Sequence, residues 1–201
     1  MRMANEVFIK PDFQPEMKHQ HLNVGNKEVT SMDISRTKIA RDKPFPSNKI
    51  ELRLYRAVFN EAQTGLSSEF SKRFSDNGWS VPWVNGVYSF HHFHAEAHEV
   101  LGCAAGWVLV QMGGPNGAKV RLEAGDAVLI PAGVAHKNID SSSDYRILGS
   151  YPHGQEPDMR RGNPHEWNEV LDKIAHVKLW EDDPVTGEKC PVSDGEPGSI
   201  F

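Results

Sequence analysis

The sequence predicts an all-β protein in which antiparallel strands form a closed barrel or two facing sheets, with helices at the periphery. Between Trp83 and Tyr151 the chain consists of short strand-like runs separated by turns. These runs cover residues 87–94, 99–112, 120–122, 127–130 and 145–151. A glycine-rich segment at residues 113–117 is typical of a tight turn between two of them. Many short strands with such turns indicate a barrel or a sandwich, because closure removes unpaired strand edges.

Further elements flank this predicted β core. Apolar and charged residues alternate over residues 50–54, which is the period of a half-buried strand, so the barrel is expected to begin there. Leu66, Phe70 and Phe74 recur every four residues and predict a short helix on the outside of the barrel. A capping motif at residues 163–166 predicts a second peripheral helix.

The length of 201 residues favours one domain, because two would each have a thin core. Residues 1–43 are polar and aperiodic and are predicted to be an N-terminal arm, partly disordered or strapped across the barrel. Residues 44–180 are predicted to form the domain itself. Residues 181–201 contain too many prolines and glycines for a regular element and are predicted to be an irregular tail.

Composition argues against a nucleic-acid-binding protein, a membrane-spanning protein and a disulfide-rich protein. The net charge of −5 leaves no excess of cations for a phosphate backbone, so nucleic acid is not expected as a partner. No apolar run approaches the roughly 18 residues that a membrane span needs. The two cysteines, Cys103 and Cys190, are too few for a disulfide framework. A cytoplasmic protein with a small-molecule ligand is therefore expected.

The histidines are concentrated in the middle of the chain. His92 and His94 are two residues apart in a predicted strand, so both side chains leave the same face. Glu99 follows on the returning strand, and His136 follows the turn at residues 131–133. Three imidazoles and one carboxylate form a mixed nitrogen and oxygen donor set, which predicts one divalent transition metal ion.

The spacing of these residues resembles the two sequence motifs of the cupin family. The first motif is matched over residues 86–106 by Gly86, His92, His94, Glu99 and Gly106. The second is matched over residues 125–138 by Gly125, Pro131, Gly133 and His136. One departure is that the asparagine that often ends the second motif would fall at Asp140, whereas an asparagine occurs at Asn138. Because that residue is not a ligand in the family, the predicted metal ligands are unaffected.

Over residues 44–155 the chain resembles, more narrowly, the YjlB-like branch of the cupins. The resemblance is carried by residues 83–88, 91–94, 98–102, 131–138 and 149–152. It implies the double-stranded β-helix, a jelly-roll barrel, and a metal site, but no particular reaction.

Neighbouring residues have alternative roles. His91 should face away from the metal by strand alternation. His98 could orient a ligand, bind metal itself or lie in an exposed turn. Cys103 is read as a buried apolar residue rather than a reactive thiol. Tyr88 and Tyr151 offer hydroxyl groups near the cavity, so they and His98 are the candidate catalytic residues.

The predicted metal is Fe, Mn, Ni, Co or Zn, since the donor set is too rich in nitrogen for Ca or Mg. The leading functional hypothesis is a dioxygenase-type oxidoreductase acting on a small organic molecule. The first alternative is an isomerase, cyclase or decarboxylase that uses the metal as a Lewis acid. The second is a metal-binding or small-molecule-binding cupin without catalysis. A homodimer is expected, because an arm such as residues 1–43 could cross to a neighbouring subunit.

Overall fold

The computed structural model describes residues 18–19 and 32–190. In these residues the chain forms two antiparallel sheets and two short α-helices, which confirms the predicted jelly-roll architecture with peripheral helices. The strands are β1 (Lys18–His19), β2 (Asp33–Thr37), β3 (Leu52–Arg56), β4 (Trp83–Asn85), β5 (Glu99–Ala105), β6 (Trp107–Met112), β7 (Ala118–Glu123), β8 (Ala127–Ile130), β9 (His136–Ser141) and β10 (Arg146–Ser150). The larger sheet has the order β1-β2-β3-β8-β5-β10-β4, and the smaller sheet has the order β7-β6-β9.

The space between the two sheets is filled by alternate residues of their strands. In β6, Val108, Val110 and Met112 are fully buried, while the residues between them are half-buried. In β7, Val120 and Leu122 are buried between neighbours that face solvent. This period of two directs one side of each strand into the inner core. The larger sheet contributes to the same inner core through Leu52, Leu54, Leu101, Cys103, Val128, Ile130 and Ile147.

Helix α1 (Leu66–Asp76) covers the outer face of the larger sheet. Leu66, Phe70 and Phe74 are its buried residues, as their four-residue spacing predicts. Gly102 in β5 allows the helix to approach closely, because a Cβ atom at this position would lie 2.7 Å from Cδ1 of Phe70. A larger residue there would push the helix away from the sheet.

Part of the predicted N-terminal arm belongs to the larger sheet. β2 pairs antiparallel with β3 over its whole length, and β1 pairs with β2. Ile34 of β2 is buried in the core outside the larger sheet. Residues 1–17 and 20–31 of the predicted arm lie outside the described residues.

Residues 181–190 of the predicted tail pack on the same outer face as α1. The carboxylate of Asp183 is buried there, and its Oδ2 atom accepts hydrogen bonds from Oη of Tyr55 at 2.5 Å and Nη1 of Arg53 at 2.7 Å. These two donors offset the cost of removing the carboxylate from water. Residues 191–201 lie outside the described residues.

Two predicted strand runs differ from the structure. Residues 87–94 do not form a continuous ladder, since only His92 and Phe93 make isolated bridges. The run over residues 99–112 is divided into β5 and β6 at Gly106, whose φ angle is +59°. The prediction of single strands was wrong at these places because alternation of side chains does not reveal where the backbone leaves the ladder.

The second predicted helix begins with a 3-10 turn, Pro164–Glu166, and continues as α2 (Trp167–His176). The side chain of Asn163 accepts a hydrogen bond from the backbone N–H of His165 at 3.1 Å, so the predicted N-cap forms. In the described part of the chain no helix combines the length and the apolar character needed to cross a bilayer.

We expect Phe70→Ala to lower the free energy of unfolding by about 3–5 kcal/mol, because Phe70 is fully buried between α1 and the sheet. Urea denaturation of the purified variant measures this change. Ser68→Ala is the matched control, since Ser68 lies on the exposed side of the same helix and its side chain contributes no packing there. Equal stability of the two variants would contradict the packing described for α1.

Candidate metal centre

Backbone pairing brings the two motif segments side by side. The N–H of His92 donates to the carbonyl of His136 at 3.2 Å, and the N–H of His136 donates to the carbonyl of His92 at 2.8 Å. The N–H of Asn138 donates to the carbonyl of Tyr88 at 2.9 Å, which continues the contact along β9. The segment before β5 therefore extends the edge of the smaller sheet and carries its histidines to the start of β9.

Three imidazoles meet at this edge. His92, His94 and His136 each offer a ring nitrogen, and these atoms all lie within 4.8 Å of one another. All three residues are buried, with 4%, 7% and 2% of their surface exposed. Nitrogen atoms on one metal ion, each about 2.0–2.1 Å from it, lie at most about 4 Å apart, so side-chain shifts of less than about 1 Å complete such a site. We call these three residues the histidine cluster.

Two members of the cluster are oriented by the same local hydrogen bond. Nδ1 of His92 donates to the carbonyl of Phe90 at 3.2 Å, and Nδ1 of His136 donates to the carbonyl of Val134 at 3.3 Å. A carbonyl oxygen can only accept, so Nδ1 carries the proton in both rings. In the neutral imidazoles Nε2 is then left with a lone pair, which is the form that binds a metal.

The third imidazole is oriented from a different part of the chain. Nδ1 of His94 donates to the carbonyl of Asp158, in the segment between β10 and the 3-10 turn. The Asp158 carboxylate accepts from the backbone N–H groups of Ala95 and Glu96 and forms an ion pair with Arg160 at 2.6 Å. This contact of the Asp158–Arg160 segment with His94 was not predicted. The sequence feature that could have indicated it is the run of charged residues at 156–161, before the helix cap.

Glu99 points into the histidine cluster. Its Oε2 atom lies 3.1 Å from Nε2 of His136 and 3.6 Å from Nε2 of His94, and Glu99 is 2% exposed. Oε2 is buried without a well-directed hydrogen-bond donor. A carboxylate oxygen facing the lone pairs of neutral imidazoles is unfavourable unless a proton or a metal ion lies between them, and the residues present fit a bound metal ion.

Burial and neighbouring charges shift the pKa values of the ionisable groups in the site. Burial, which raises the pKa of Glu99, is outweighed by His94 and His136, so the pKa of Glu99 lies well below its usual value. Burial also opposes protonation of His94, but Glu99 raises the pKa of His94 above its ordinary value. Burial and the neighbouring His136 lower the pKa of His92 to about 3. The environment therefore favours an ionised carboxylate and at least one neutral imidazole, as metal binding requires.

The other oxygen of Glu99 is held by Tyr151. Oη of Tyr151 donates to Oε1 of Glu99 at 3.0 Å, and Nε1 of Trp83 donates to Oη of Tyr151 at 3.3 Å. Burial and the charge of Glu99 raise the pKa of Tyr151, so its hydroxyl keeps its proton. Tyr151 therefore fixes the carboxylate with Oε2 turned toward the histidine cluster.

The remaining sequence candidates lie outside the cluster. His91 faces away and contacts the ring of Phe45, with 5.2 Å between ring centroids, as alternation predicts. His98 is buried and contacts Trp180, and its Nδ1 accepts from the N–H of Ala132 at 3.0 Å. Its candidate role as an exposed turn residue was wrong, because the packing of residues 180–185 on the sheet covers it.

Cys103 is fully buried in the inner core, and burial raises the pKa of its thiol to about 12. The interpretation of this residue as a buried apolar side chain is confirmed.

Two aromatic residues border the histidine cluster. Tyr88 and Phe90 stack on each other with 4.9 Å between their ring centroids. Both rings contact the His92 ring edge-on, with centroid distances of 5.0 Å for Tyr88 and 5.7 Å for Phe90. Tyr88 is 48% exposed, so these rings connect the buried cluster with solvent. We call these two residues the aromatic rim.

A search of known proteins finds a close relative in sequence. The chain is 41% identical over 129 residues to YjlB of Bacillus subtilis (strain 168), a protein described as uncharacterised. The match covers 64% of this chain and 76% of YjlB. The chain belongs to the YjlB-like cupins. No family model matches it.

This YjlB-like cupin also aligns with solved structures. Acireductone dioxygenase from Bacillus anthracis, with cadmium in its active centre, aligns at a TM-score of 0.32 and 17% identity over 49% of this chain and 72% of that one. RmlC from Streptococcus suis, in complex with dTDP-D-xylose, aligns at a TM-score of 0.30 and 14% identity over 69% of this chain and 70% of that one. Oxalate decarboxylase from Bacillus subtilis aligns at a TM-score of 0.30 and 12% identity over 74% of this chain and 29% of that one. These low scores add nothing to the family assignment, which rests on YjlB and on the strand topology.

Proposed function

We propose that the chain is a metal-dependent enzyme that acts on a small organic molecule, and that His92, His94, Glu99 and His136 hold its metal ion. The observation that carries this proposal is the buried oxygen of Glu99, which lacks a directed donor and faces two ring nitrogens at 3.1 and 3.6 Å. A cation between these atoms turns an unfavourable contact into coordination.

The donor set narrows the choice of metal. Three nitrogen atoms and one oxygen atom suit Fe(II), Mn(II), Co(II), Ni(II) or Zn(II), whereas Ca and Mg prefer oxygen donors alone. When bound, such an ion supplies Lewis acidity and, for iron or manganese, a redox centre for dioxygen. The inner core on one side of this position is apolar, and the aromatic rim borders it on the side of the solvent.

We favour a dioxygenase-type oxidoreductase over an isomerase or a cyclase because few side chains next to the cluster can act as a base. Proton-transfer chemistry needs a base, which is either a side chain or a hydroxide bound to the metal. In the described part of the chain, the two residues outside the cluster whose rings contact it and ionise are Tyr88 and Tyr151. The hydroxyl of Tyr151 is committed to Glu99 and its pKa is raised, so it does not serve as a base at neutral pH. Oxidation by dioxygen relies mainly on the redox chemistry of the metal and less on a side-chain base.

The ligand assignment predicts different outcomes for three histidines. His94→Ala and His136→Ala should each remove most of the bound metal, because each deletes a ring nitrogen of the cluster. His91→Ala is the control and should keep its metal, since His91 packs on Phe45 instead. Elemental analysis of protein purified without chelator measures the metal content. Equal metal content in all three variants would disprove the ligand set.

The contact between Tyr151 and Glu99 predicts a smaller effect. Tyr151→Phe should weaken metal affinity by about tenfold, because residues that orient a ligand typically contribute about 10–100-fold. Competition with a fluorescent chelator measures this affinity. Tyr145→Phe removes a hydroxyl that bonds to Asn138 instead of Glu99, and its affinity should be unchanged. An unchanged affinity of Tyr151→Phe would show that Glu99 does not need this hydrogen bond.

Oxygen dependence tests the reaction class. Metal-loaded protein should consume dioxygen with at least one substrate in a screen of small acids, phenols and thiols, and His136→Ala should not. Product formation under argon would instead support Lewis-acid chemistry. A metal-dependent rise in melting temperature with no turnover in either atmosphere would support a binding protein without catalysis.

A further inference from the structure

Two adjacent arginines beside the metal centre have opposite surroundings. Arg160 is neutralised by three carboxylates, those of Asp158, Glu166 and Glu169, at 2.6, 3.0 and 2.9 Å. Arg161 forms no ion pair with any carboxylate of the described residues, and its guanidinium carbon lies 3.9 Å from the ring centroid of Phe90. The charge of Arg160 is thus used within the fold, while that of Arg161 remains available.

The backbone holds Arg161 close to the histidine cluster. The N–H of Phe93 donates to the carbonyl of Arg160 and the N–H of Arg160 donates to the carbonyl of Phe93, both at 3.0 Å. These bonds fasten the residue before Arg161 to the segment that carries His92 and His94. The Phe90 ring, on which the Arg161 guanidinium stacks, is itself in edge-on contact with His92.

Stacking leaves the guanidinium able to bind an anion. A planar guanidinium on an aromatic face keeps the N–H donors along its edge free, and their geometry matches a carboxylate. Arg161 is exposed, so an incoming ligand can reach those donors. The aromatic rim provides the apolar surface between this charge and the cluster.

The charges around the site favour an anion with two negative groups. A divalent cation held by three neutral imidazoles and one carboxylate leaves one positive charge at the centre, and Arg161 adds a second at its edge. The chain as a whole has a net charge of −5, so this positive region is local.

Resting on the proposed function, we propose that the substrate is a small dicarboxylic acid, such as a hydroxy or keto diacid. One end binds the metal ion held by the histidine cluster and Glu99. Arg161 binds the distal carboxylate, and the carbon chain between them lies against the aromatic rim.

Paired probes on the full-length, Co(II)-loaded protein test this proposal. Malate and lactate carry the same hydroxy-acid group for the metal, but only malate has a second carboxylate. Titration of the Co(II) absorption spectrum gives the dissociation constant of each acid. The cobalt content is measured first, so a failure to bind metal is seen separately and would overturn the proposed function together with this inference.

In the unsubstituted protein, malate should bind about tenfold more tightly than lactate, since a partly exposed charge-assisted contact contributes about this much. Arg161→Gln should reduce malate affinity to that of lactate and leave lactate affinity unchanged. Arg146→Gln is the matched control, because it makes the same change in charge at an exposed position in β10, where the chain pairs with the end of β5 far from Glu99.

Several outcomes would overturn the inference. Equal losses of malate affinity in Arg161→Gln and Arg146→Gln would show a general charge effect, not a binding site. Retained selectivity for malate in Arg161→Gln would place the second carboxylate elsewhere. Failure of the cobalt-loaded protein to bind either acid would exclude this class of substrate.

Discussion

The reciprocal hydrogen bonds between His92 and His136 are the constraint on which the rest of the site depends. The two residues are 44 positions apart, and they come together because the segment before β5 lies along the start of β9. Once this pair is aligned, alternation places His94 on the same side as His92, and the chain returns through Glu99 at the start of β5. Four polar side chains thus reach one buried volume, two of them from the irregular segment between β4 and β5.

The same constraint explains why the segment carrying the first two histidines is not a regular strand. In a regular ladder the N–H of Asn138 would donate to the carbonyl of Phe90, but it donates to that of Tyr88, and the carbonyl of Phe90 accepts from Nδ1 of His92. His136 repeats the arrangement with Val134, two residues before it. His94 does not repeat it, and the carbonyl two residues earlier, that of His92, accepts from the N–H of His136.

The carbonyl of Asp158 therefore completes the set from outside the two motifs. This requirement ties the segment after β10 to the site and makes the salt bridges of Arg160 part of its support. The position of Arg161 follows from the same anchoring, since its neighbour is paired with Phe93. The segment that orients the His94 ring therefore also holds the guanidinium of Arg161 at the edge of the site.

Some of these features could be read from the sequence and others could not. The inward side of β6 and β7 and the helix of Leu66, Phe70 and Phe74 follow from periodicity, which is a local property. The meeting of the three histidines was expected from the resemblance of two separate segments to the cupin motifs. The break at Gly106 and the irregular segment around Phe90 depend on where backbone groups find partners. Such partners are set by tertiary contacts between distant segments, so no pattern within one segment reveals them.

The oxygen of Glu99 links the stability of the fold to its chemistry. A buried carboxylate can be stabilised by donors on both oxygens, as Asp183 is by Arg53 and Tyr55 on one oxygen and by backbone N–H groups on the other. Glu99 receives a directed donor, Tyr151, on one oxygen only, and its second oxygen faces the ring nitrogens. A protein that needed Glu99 only for structure would gain by satisfying both oxygens, because an unpaired buried acceptor costs about 1–3 kcal/mol. The contrast between these two buried carboxylates, in the same fold, is the structural argument for the proposal that Glu99 binds a metal ion.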